Sequence, residues 1–446
     1  MVPPPWSSLA AERRHPVEAR IPASARNRQA RCRFGDVTLQ ESGPNGQIYI
    51  VSAARTPIGK FGGALSTTPA VELGAVAISA AVERGLPPDA TVDEVLMGQV
   101  LQAGVGQAPA RQALLRAGLP DTTPATTINR VCGSGLKAIM LAAAEIKAGD
   151  AEVVVAGGME SMNQAPYLVP GARFGLRLGD AQLIDATVHD GLWCAIEGCH
   201  MGTHAERVAI KDSVSRGDQD AFALQSHERA TAAQEAGRFD DEMAPVRVRG
   251  KSGETVVAAD EGPRRDTSME ALGRLKPVFD LPSGEDRGDA TAGTVTAGNS
   301  PGITDGAAAT VVASERAVEQ LGLKPLARLI GYAQAEVAPK WLFLAPVQGV
   351  RRLLEKLDMT IGDFDVVEIN EAFAAQALAD GRELGFDWDK VNVNGGAIAL
   401  GHPIGASGAR IVATLLHELR RRGGRYGLAT LCLGGGGSVA AAFERV

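Results

Sequence analysis

The sequence predicts an α/β fold made of two similar βα halves, with helices on both faces of mixed sheets, plus an inserted loop domain. Strand-like and helix-like segments alternate in residues 47–162, and the same order returns in residues 323–446. Residues 163–300 break that order with prolines, glycines and polar segments, as surface loops do. A chance succession of ordinary βα units is the alternative interpretation, and the repeated order favours a duplicated fold.

The first half begins at a β-branched run, Gln47-Ile-Tyr-Ile-Val-Ser52. The predicted elements are a strand at 47–52, a helix at 71–84, a strand at 92–98, a helix at 135–147 and a strand at 151–158. Gly149 marks the end of the second helix. Residues 301–322 complete this half, so the predicted N-terminal domain comprises 47–162 and 301–322.

The predicted C-terminal domain, residues 323–446, repeats this plan. Its elements are a helix at 350–357, a strand at 364–370, a helix at 410–421 and a strand at 427–434. The inserted domain, residues 163–300, contains a predicted helix at 219–235 and a polar segment at 251–287. The predicted order is therefore an N-terminal domain interrupted by the inserted domain and followed by the C-terminal domain.

Composition restricts the classes of protein that this chain can be. A length of 446 residues is sufficient for two or three domains with a substantial core. Hydrophobic residues make up 45%, yet there is no apolar run of the roughly 18 residues that a membrane span needs. The net charge of −7 argues against a nucleic-acid-binding surface. The five cysteines form no Cys-x-x-Cys pair, which fits a reducing compartment such as the cytoplasm.

The first 46 residues differ from the rest of the chain. They are rich in proline and arginine and have no clear apolar periodicity, which predicts a disordered N-terminal extension. Arginine and serine in such a segment leave organellar targeting open, although Glu12 and Glu18 are unusual in a transit peptide.

Cys132 is the first candidate for chemistry. It lies in Asn129-Arg-Val-Cys-Gly-Ser-Gly-Leu-Lys-Ala138, directly before a predicted helix. Backbone N–H groups and the helix dipole at such a position favour an anion, so we expect a lowered thiol pKa and a reactive thiolate. A buried, inert cysteine in a strand-to-helix turn is the alternative.

His402 lies between Gly401 and Pro403, in a segment that can be neither regular helix nor central strand. An imidazole held on a rigid loop among glycines can approach a substrate closely and exchange protons near neutral pH. The alternative is a hydrogen-bonded core histidine.

A second cysteine, Cys432, ends the last predicted strand and leads into glycines 434 to 437. Several glycine N–H groups could point at one oxyanion, as an oxyanion hole requires. Read alone, the run could also be a flexible loop or a phosphate cradle, but it lacks the ending of a P-loop. Asn370, at the end of another strand, could polarise a carbonyl, hold a water molecule or cap the next helix.

Four further residues raise the question of a metal. Cys194, Cys199, His200 and His204 lie within eleven positions, and the two histidines have helical spacing. The four-residue gap between the cysteines and the lack of a second ligand pair argue against zinc. We therefore expect no metal and no bound cofactor.

Four segments together resemble the signature blocks of the thiolases: "NRVCGSGLKA", "NEAFAAQ", "GGAIALGHPIGASG" and "CLGGGGS". The resemblance runs from about residue 48 to residue 445 and also includes "VSAARTPIGKFGG" and "GTVTAGN". Any one block is moderately specific, whereas the set in this order is highly specific. The resemblance implies a thiolase-like fold and an acyl transfer between coenzyme A thioesters.

The resemblance also implies a role for each residue. Cys132 would carry the acyl group as a thioester, His402 would take its proton, and Cys432 would remove or return the proton on the α-carbon of acetyl-CoA. Asn370, through a water molecule, and His402 would stabilise the enolate oxygen. The N–H groups of Cys132 and Gly434 would hold the thioester oxyanion.

For coenzyme A, the resemblance implies pantetheine contacts at His200, Met201 and Phe373, and a phosphate or adenine contact at Arg264. Two features depart from the family pattern. Pro301 stands where the family has a pantetheine-binding serine, and about ten extra residues follow Phe279. Both departures bear on how coenzyme A is held.

The resemblance suggests acetyl-CoA, acetoacetyl-CoA and coenzyme A as substrates and products, and a homodimer or homotetramer as the assembly. The forms "CGSGLK" and "HPIGASG" favour the acetoacetyl-CoA type. A longer-chain degradative 3-oxoacyl-CoA thiolase and a non-catalytic thiolase-like lipid carrier are the alternatives. A decarboxylating ketosynthase is disfavoured because it needs a second histidine where this chain has Cys432.

Overall fold

The structure, a computed structural model, describes residues 46–250, 253–281, 285 and 293–446. The predicted N-terminal extension therefore lies outside the described residues except for Gly46, as does most of the extra segment after Phe279. Across the described ranges, no helix combines the length and the apolar character that crossing a membrane requires.

Strands and helices alternate along the chain, with short 3-10 and π-helical turns between them. The strands are β1 (Ile48–Arg55), β2 (Gly59–Lys60), β3 (Glu94–Gly98), β4 (Ala125–Ile128), β5 (Val153–Ser161), β6 (Tyr167–Leu168), β7 (Ile184–Asp185), β8 (Trp193–Cys194), β9 (Cys199–His200), β10 (Val246–Gly250), β11 (Gly253–Val257), β12 (Thr304–Ser314), β13 (Ala327–Glu336), β14 (Val366–Ile369), β15 (Tyr426–Leu433) and β16 (Gly437–Arg445). The helices are α1 (Ala70–Gly85), α2 (Pro109–Arg116), α3 (Ser134–Ala148), α4 (Met201–Lys211), α5 (Arg216–Glu235), α6 (Met269–Gly273), α7 (Glu315–Leu321), α8 (Ala345–Leu357), α9 (Ala374–Leu384), α10 (Ala397–Leu400) and α11 (Ser407–Arg422).

The pairing of the strands confirms the duplication. One half has the order β4-β3-β5-β12-β1, in which β4, β3 and β5 are parallel and the other pairs are antiparallel. The other half has the order β14-β15-β16-β13, with β14 and β15 parallel and the rest antiparallel. If the second half repeated the first in full, a strand corresponding to β4 would pair with β14. In its place there is a single parallel bridge between Val367 and Val391. With that bridge, the two halves share one order and one pattern of directions.

The halves meet at their first strands. Strand β1 pairs antiparallel with β13 through Tyr49 and Arg328 and through Ile50 and Ala327, so a single mixed sheet runs through both halves. Helices α3 and α11 pack against each other and against strands of both halves. Helices α1 and α8 cover the outer faces. The predicted helices on both faces of mixed sheets are therefore confirmed.

Side chains alternate between the inner and outer layers along each central strand, as the two-residue period of a strand requires. On β5, Val154 packs into the inner core with α3 and α11, whereas Val155 packs into the outer core with α1. On β15, Ala429 faces the inner core and Leu428 the outer core. Strands buried on both faces explain why these segments are almost entirely apolar.

The region predicted as an inserted loop domain contains more regular structure than expected. Helix α5 includes the predicted helix and begins three residues earlier, because Ser215 and Asp218 form a capping box. Helix α4 was not predicted; its N-cap is His200, whose side chain accepts a hydrogen bond from the Gly202 N–H. Apolar residues of α4 pack with α9 and Cys432 in one cluster, so the insertion contacts the end of β15 in the second half.

Candidate active site

A tight turn presents Cys132 two residues before α3 begins. Val131 has a φ of +49°, which a β-branched residue rarely adopts, and Asn129 accepts a hydrogen bond from its N–H at 3.0 Å. The Ser134 hydroxyl accepts from the Arg130 N–H at 2.8 Å and donates to the Val131 carbonyl at 2.6 Å. These bonds hold a strained turn that directs the thiol away from the helix.

The prediction of a lowered Cys132 pKa is wrong in direction. Burial raises the pKa of this thiol to about 12, and this effect outweighs the N–H groups of Gly434 and of Cys132 itself, which lower it. A thiolate would lose its solvation in this wall of the cavity. At rest the group is therefore a thiol, and it could act as a nucleophile only if a base took its proton.

His402 lies on the irregular segment between α10 and α11, as predicted. Gly401 has a φ of +116°, and a Cβ there would come within 2.6 Å of Thr304. Gly405, on the other side of the histidine, allows equally close contact with the backbone of Gln99. The glycines around His402 thus let its loop pass between strands of the first half.

The hydrogen bonds of His402 fix its tautomer. Nδ1 lies 2.5 Å from Oγ of Ser407, and that hydroxyl donates its own proton to the Pro403 carbonyl at 2.9 Å. The Ser407 oxygen therefore accepts from Nδ1–H, which leaves Nε2 without a proton. The Asn370 amide nitrogen lies 3.5 Å from Nε2, which agrees with an accepting Nε2.

Burial also determines the charge of His402. It lowers the pKa of this imidazole to about 3, and the nearby Arg410 cation acts in the same direction. The ring is neutral at physiological pH, with a free lone pair on Nε2. A neutral base beside a neutral thiol can take the thiol proton during an attack.

Cys432 is buried at the end of β15, and burial raises its pKa well above the ordinary value, with the nearby Cys132 sulfur as the next contribution. Gly434, two residues later, places its N–H at the Cys132 thiol. Gly435 and Gly436 follow with φ of +90° and +106°, which turn the chain back into β16. Residues with side chains rarely adopt such positive φ values, which explains why both positions are glycine.

Asn370 follows β14 directly, as predicted, but it does not cap the next helix. The N-cap of α9 is Phe373, without a side-chain hydrogen bond. The side-chain oxygen of Asn370 is buried and has no hydrogen-bond partner among the described residues. That oxygen is free to accept a hydrogen bond from a molecule in the site, which fits a role in holding water.

One cavity joins the two cysteines, His402 and Gly434, whereas Asn370 is not among its lining residues. It has a volume of about 110 Å³, and Cys132, His402, Cys432 and Gly434 all line it. Residues separated by 300 positions thus meet at the junction of the two halves. Much of the apolar wall comes from Met162, Leu192, Phe279, Ile303, Leu342, Phe343, Leu433 and Ile404.

Three of the four residues predicted to bind coenzyme A also line this cavity: His200, Met201 and Phe373. The His200 ring stacks on Phe279 with centroids 4.7 Å apart, and Phe279 in turn meets Phe373 edge to face. Arg264 does not line it; it lies at a separate shallow hollow beside α5. Its contact with the adenine or a phosphate stays a prediction.

Pro301 lies in the cavity wall, where the family resemblance implies a serine. The neighbouring Ser300 does not supply the missing hydroxyl, because its Oγ donates to the Thr296 carbonyl at 2.8 Å. The departure from the family pattern therefore falls within the candidate site itself.

Two residues near the site were not predicted from the sequence. Ser407 orients His402, and its place within "HPIGASG" could have indicated this. Glu160 is buried and accepts hydrogen bonds from the N–H groups of Val100, Leu101 and Gly405, so it ties the His402 loop to the first half. Burial raises the pKa of Glu160 to about 7.

The four residues weighed as zinc ligands do not converge. His204 reaches Cys199, whereas His200 turns to Phe279 and the cavity. The described ranges hold no group of three or more histidine, cysteine, aspartate or glutamate side chains placed to bind a metal ion.

Known proteins share both sequence and structure with this chain. It is 55% identical over 401 residues to the acetyl-CoA acetyltransferase of Chromobacterium violaceum, covering 90% of this chain and 100% of that protein. It is 52% identical over 398 residues to that of Escherichia coli K12, covering 89% and 98%.

Two solved structures are also similar. The Bacillus anthracis acetyl-CoA acetyltransferase superposes with a TM-score of 0.85 at 44% identity, covering 90% of this chain and 99% of that one. Human mitochondrial 3-ketoacyl-CoA thiolase gives 0.85 at 45% identity, with the same coverage. The thiolase N-terminal domain matches residues 48–316 and the thiolase C-terminal domain matches residues 323–445. The chain belongs to the thiolase family.

Proposed function

We propose that this chain is an acetyl-CoA acetyltransferase. It joins two molecules of acetyl-CoA into acetoacetyl-CoA and free coenzyme A, and it catalyses the reverse thiolysis. The convergence of Cys132, His402 and Cys432 on one cavity carries this proposal. Relatives more than half identical over nine-tenths of the chain bear the same activity in their names.

In the first step, the Cys132 sulfur attacks the thioester carbonyl of acetyl-CoA while its proton passes to Nε2 of His402. The tetrahedral oxyanion accepts hydrogen bonds from the N–H groups of Cys132 and Gly434. Its collapse breaks the carbon–sulfur bond to coenzyme A, which leaves as a thiol with the proton from His402. Cys132 then carries the acetyl group.

In the second step, Nε2 of His402 takes the proton of the Cys432 thiol, and the resulting Cys432 thiolate takes a proton from the α-carbon of a second acetyl-CoA. Its enolate oxygen is stabilised by His402 and by a water molecule held at the free oxygen of Asn370. The α-carbon attacks the acetyl carbonyl on Cys132, the carbon–sulfur bond to Cys132 breaks, and the Cys132 sulfur takes the proton from Nε2 of His402 to become a thiol again. A sulfur that already carries an acetyl group cannot act as this base, so two cysteines are required.

Coenzyme A reaches the sulfurs along the wall formed by His200, Met201 and Phe373. Burial lowers the pKa of His200 to about 4, so its ring is a neutral partner for the amide-containing pantetheine arm. Arg264 lines a separate hollow beside α5 and would meet the charged end of the molecule. No cofactor takes part, because coenzyme A is substrate and product.

The proposal extends to assembly and location. The chain forms a homodimer or homotetramer, and an exposed apolar segment supports this. Phe174, Leu176, Leu178 and Leu183 are each more than half exposed, and monomers seldom leave such a patch uncovered. The enzyme works in the cytoplasm, where a reducing environment keeps both catalytic thiols free.

Thiolysis of acetoacetyl-CoA by free coenzyme A tests the activity. The wild-type chain should consume acetoacetyl-CoA, and the tryptic peptide 131–137 should carry an acetyl group after incubation with acetyl-CoA. Cys132→Ser should abolish both, because a serine hydroxyl is scarcely ionised and is a poor nucleophile without an activating base matched to it.

Two outcomes would contradict the proposal. An acetyl adduct in Cys132→Ser on a different peptide would overturn the assignment of the nucleophile. A folded wild-type chain that binds acyl-CoA but never turns it over would be a lipid carrier. Longer 3-oxoacyl-CoA substrates turned over faster than acetoacetyl-CoA would favour the degradative alternative.

A further inference from the structure

Cys194 and Cys199 face each other across a short hairpin. Strands β8 and β9 pair antiparallel, and their register places Cys194 directly opposite Cys199. Directly opposed residues have Cα atoms about 4.5–5.5 Å apart and side chains on the same face. A disulfide spans Cα separations of about 4.4–6.8 Å. The hairpin therefore holds the two sulfurs where a bond between them can form.

Two nitrogen-bearing side chains lie beside the Cys199 sulfur. Its sulfur lies 3.5 Å from Nε2 of His204 and 3.6 Å from a guanidinium nitrogen of Arg207. Burial raises the pKa of Cys199, but the Arg207 cation opposes that rise and stabilises the thiolate. Cys194 accepts a weak N–H contact from Glu197 at 3.4 Å. Both thiols are free and neither takes part in the proposed acyl transfer.

The hairpin is joined directly to the substrate cavity. Cys199 precedes His200, whose ring stacks on Phe279 in the cavity wall, and Met201 begins α4 beside it. A bond between the two sulfurs would draw Cys199 away from His204 and Arg207. Because β9 is only two residues long, that movement would reach His200.

We propose that Cys194 and Cys199 form a reversible disulfide that adjusts the coenzyme A end of the cavity. The structural part of this proposal is independent of the activity, whereas the effect on coenzyme A rests on the proposed function. Transient, redox-sensing disulfides of this kind are the ones found in reducing compartments.

The oxidant is a hydroperoxide, and the step balances. The Cys199 thiolate attacks one oxygen of hydrogen peroxide, the O–O bond breaks, and with one proton taken up the products are a sulfenic acid and water. The Cys194 thiol then attacks the sulfenic sulfur, so the S–S bond forms, the S–O bond breaks and a second water leaves. Two electrons pass from the two sulfurs to the peroxide. A dithiol reductant reverses the reaction.

Mass spectrometry of the intact, full-length protein tests the bond. Residues 178–207 form one tryptic peptide that contains both cysteines and neither catalytic sulfur. After limited hydrogen peroxide and alkylation of the remaining thiols, this peptide should have lost two hydrogen atoms and should carry no alkyl group. Reduction before alkylation should return two alkyl groups.

Other products would overturn the proposal. These are alkylation of both cysteines after peroxide treatment, a sulfinic acid on either one, or a link between this peptide and 131–137 or 426–445. Cys194→Ser and Cys199→Ser provide the matched controls, since each should fold and leave a single thiol that cannot form the bond. If both variants failed to fold, the wild-type peptide would still decide the question.

Steady-state kinetics test the consequence for coenzyme A. Oxidised wild type should show a several-fold rise in the KM for coenzyme A in thiolysis, restored by the reductant, and Cys194→Ser should show none. Peroxide damage at Cys132 would lower kcat equally in both proteins, so the comparison separates the two effects. An unchanged KM in a fully disulfide-bonded sample would contradict the proposed effect on the cavity. The proposal of the disulfide itself would still stand.

Discussion

The Cys132 sulfur and the His402 imidazole, the proposed nucleophile and base, are both uncharged in the resting site. Burial raises the pKa of Cys132 to about 12 and lowers that of His402 to about 3, so neither group can ionise alone near pH 7. Charge would develop only when the proton passes from sulfur to nitrogen during the attack. The N–H groups around Cys132 then stabilise charge in the transition state rather than in the resting enzyme.

The hydrogen bond between Ser407 and Nδ1 of His402 makes Ser407 a positioning residue. Ser407→Ala removes the acceptor that fixes the tautomer and supports the imidazolium. A hydrogen bond to a charged group contributes about 1.5–3 kcal/mol, so kcat should fall by about ten- to a hundredfold. Ser407→Thr keeps the hydroxyl and should restore most of the rate. Turnover of Ser407→Ala equal to wild type would show that the bond is dispensable.

The role of Cys432 can be separated from that of Cys132. Cys432→Ala removes the proposed base for the α-carbon but leaves the Gly434 N–H at Cys132. The acetyl group should therefore still appear on peptide 131–137 after incubation with acetyl-CoA, whereas condensation to acetoacetyl-CoA should be lost. Normal condensation in this variant would exclude Cys432 as the base.

Close packing of α3 against α11 brings the site residues of the two halves together. A Cβ on Gly135 of α3 would lie 2.6 Å from the Ala409 nitrogen of α11, and a Cβ on Gly133 would lie 2.4 Å from Leu433. These glycines let the Cys132 turn, the His402 loop and the end of β15 approach each other. The two glycines of "CGSG" are thus required for close packing, whatever the chemistry of the cysteine.

Gly135→Ala tests this packing. The added methyl group should force α3 and α11 apart and cost about 1–3 kcal/mol of unfolding free energy, more than the roughly 1 kcal/mol that alanine gains within a helix. Urea unfolding should show the loss, and kcat should fall as the His402 loop moves. Gly217→Ala in α5 is the control, because its Cβ would meet only Ser215 Oγ at 3.7 Å. Equal stability of the two variants would contradict the packing argument.

At the level of elements, periodicity and glycine punctuation predicted β1, β3, β5, β14 and β15 and helices α1, α3, α5 and α11 to within a few residues, whereas β12, β13 and β16 were not predicted. The exception at α8 has a local reason: Pro346 occupies its first turn, so the helix starts at Ala345 rather than at the predicted 350. Helix α4 was missed because its N-cap is a histidine. The bridge at Val391 was not predicted, because a single paired residue gives no periodic pattern in the sequence.

The candidate site was predictable in its residues and not in its electrostatics. Motifs identified Cys132, Asn370, His402 and Cys432, since each stands at the end of a recognisable element. The direction of the Cys132 pKa shift depends on burial by residues from the other half, which no local pattern contains. The accepting role of Ser407 likewise depends on its bond to the Pro403 carbonyl.

In the whole molecule, the acyl end of the cavity is closed by residues from both halves. Val100, Leu101, Met162 and Ile404 form a buried apolar cluster, and Cys132 packs against it. Leu192, from the inserted region, completes the contact. An acetyl group on Cys132 would meet this cluster almost at once. We therefore expect kcat/KM in thiolysis to fall as the acyl chain of the 3-oxoacyl-CoA substrate lengthens.

Met162→Ala tests whether this cluster sets the chain length. The smaller side chain should leave room beyond the acetyl group and raise kcat/KM for 3-oxohexanoyl-CoA relative to acetoacetyl-CoA. A methylene accommodated in an apolar pocket changes such a ratio by about 10- to 200-fold at most. Met→Ala in a core also costs about 2–5 kcal/mol, so unfolding must be measured in parallel. Met162→Leu, which conserves volume, should keep both the wild-type stability and the wild-type ratio. A folded Met162→Ala enzyme with an unchanged ratio would mean that another wall of the cavity limits the acyl chain.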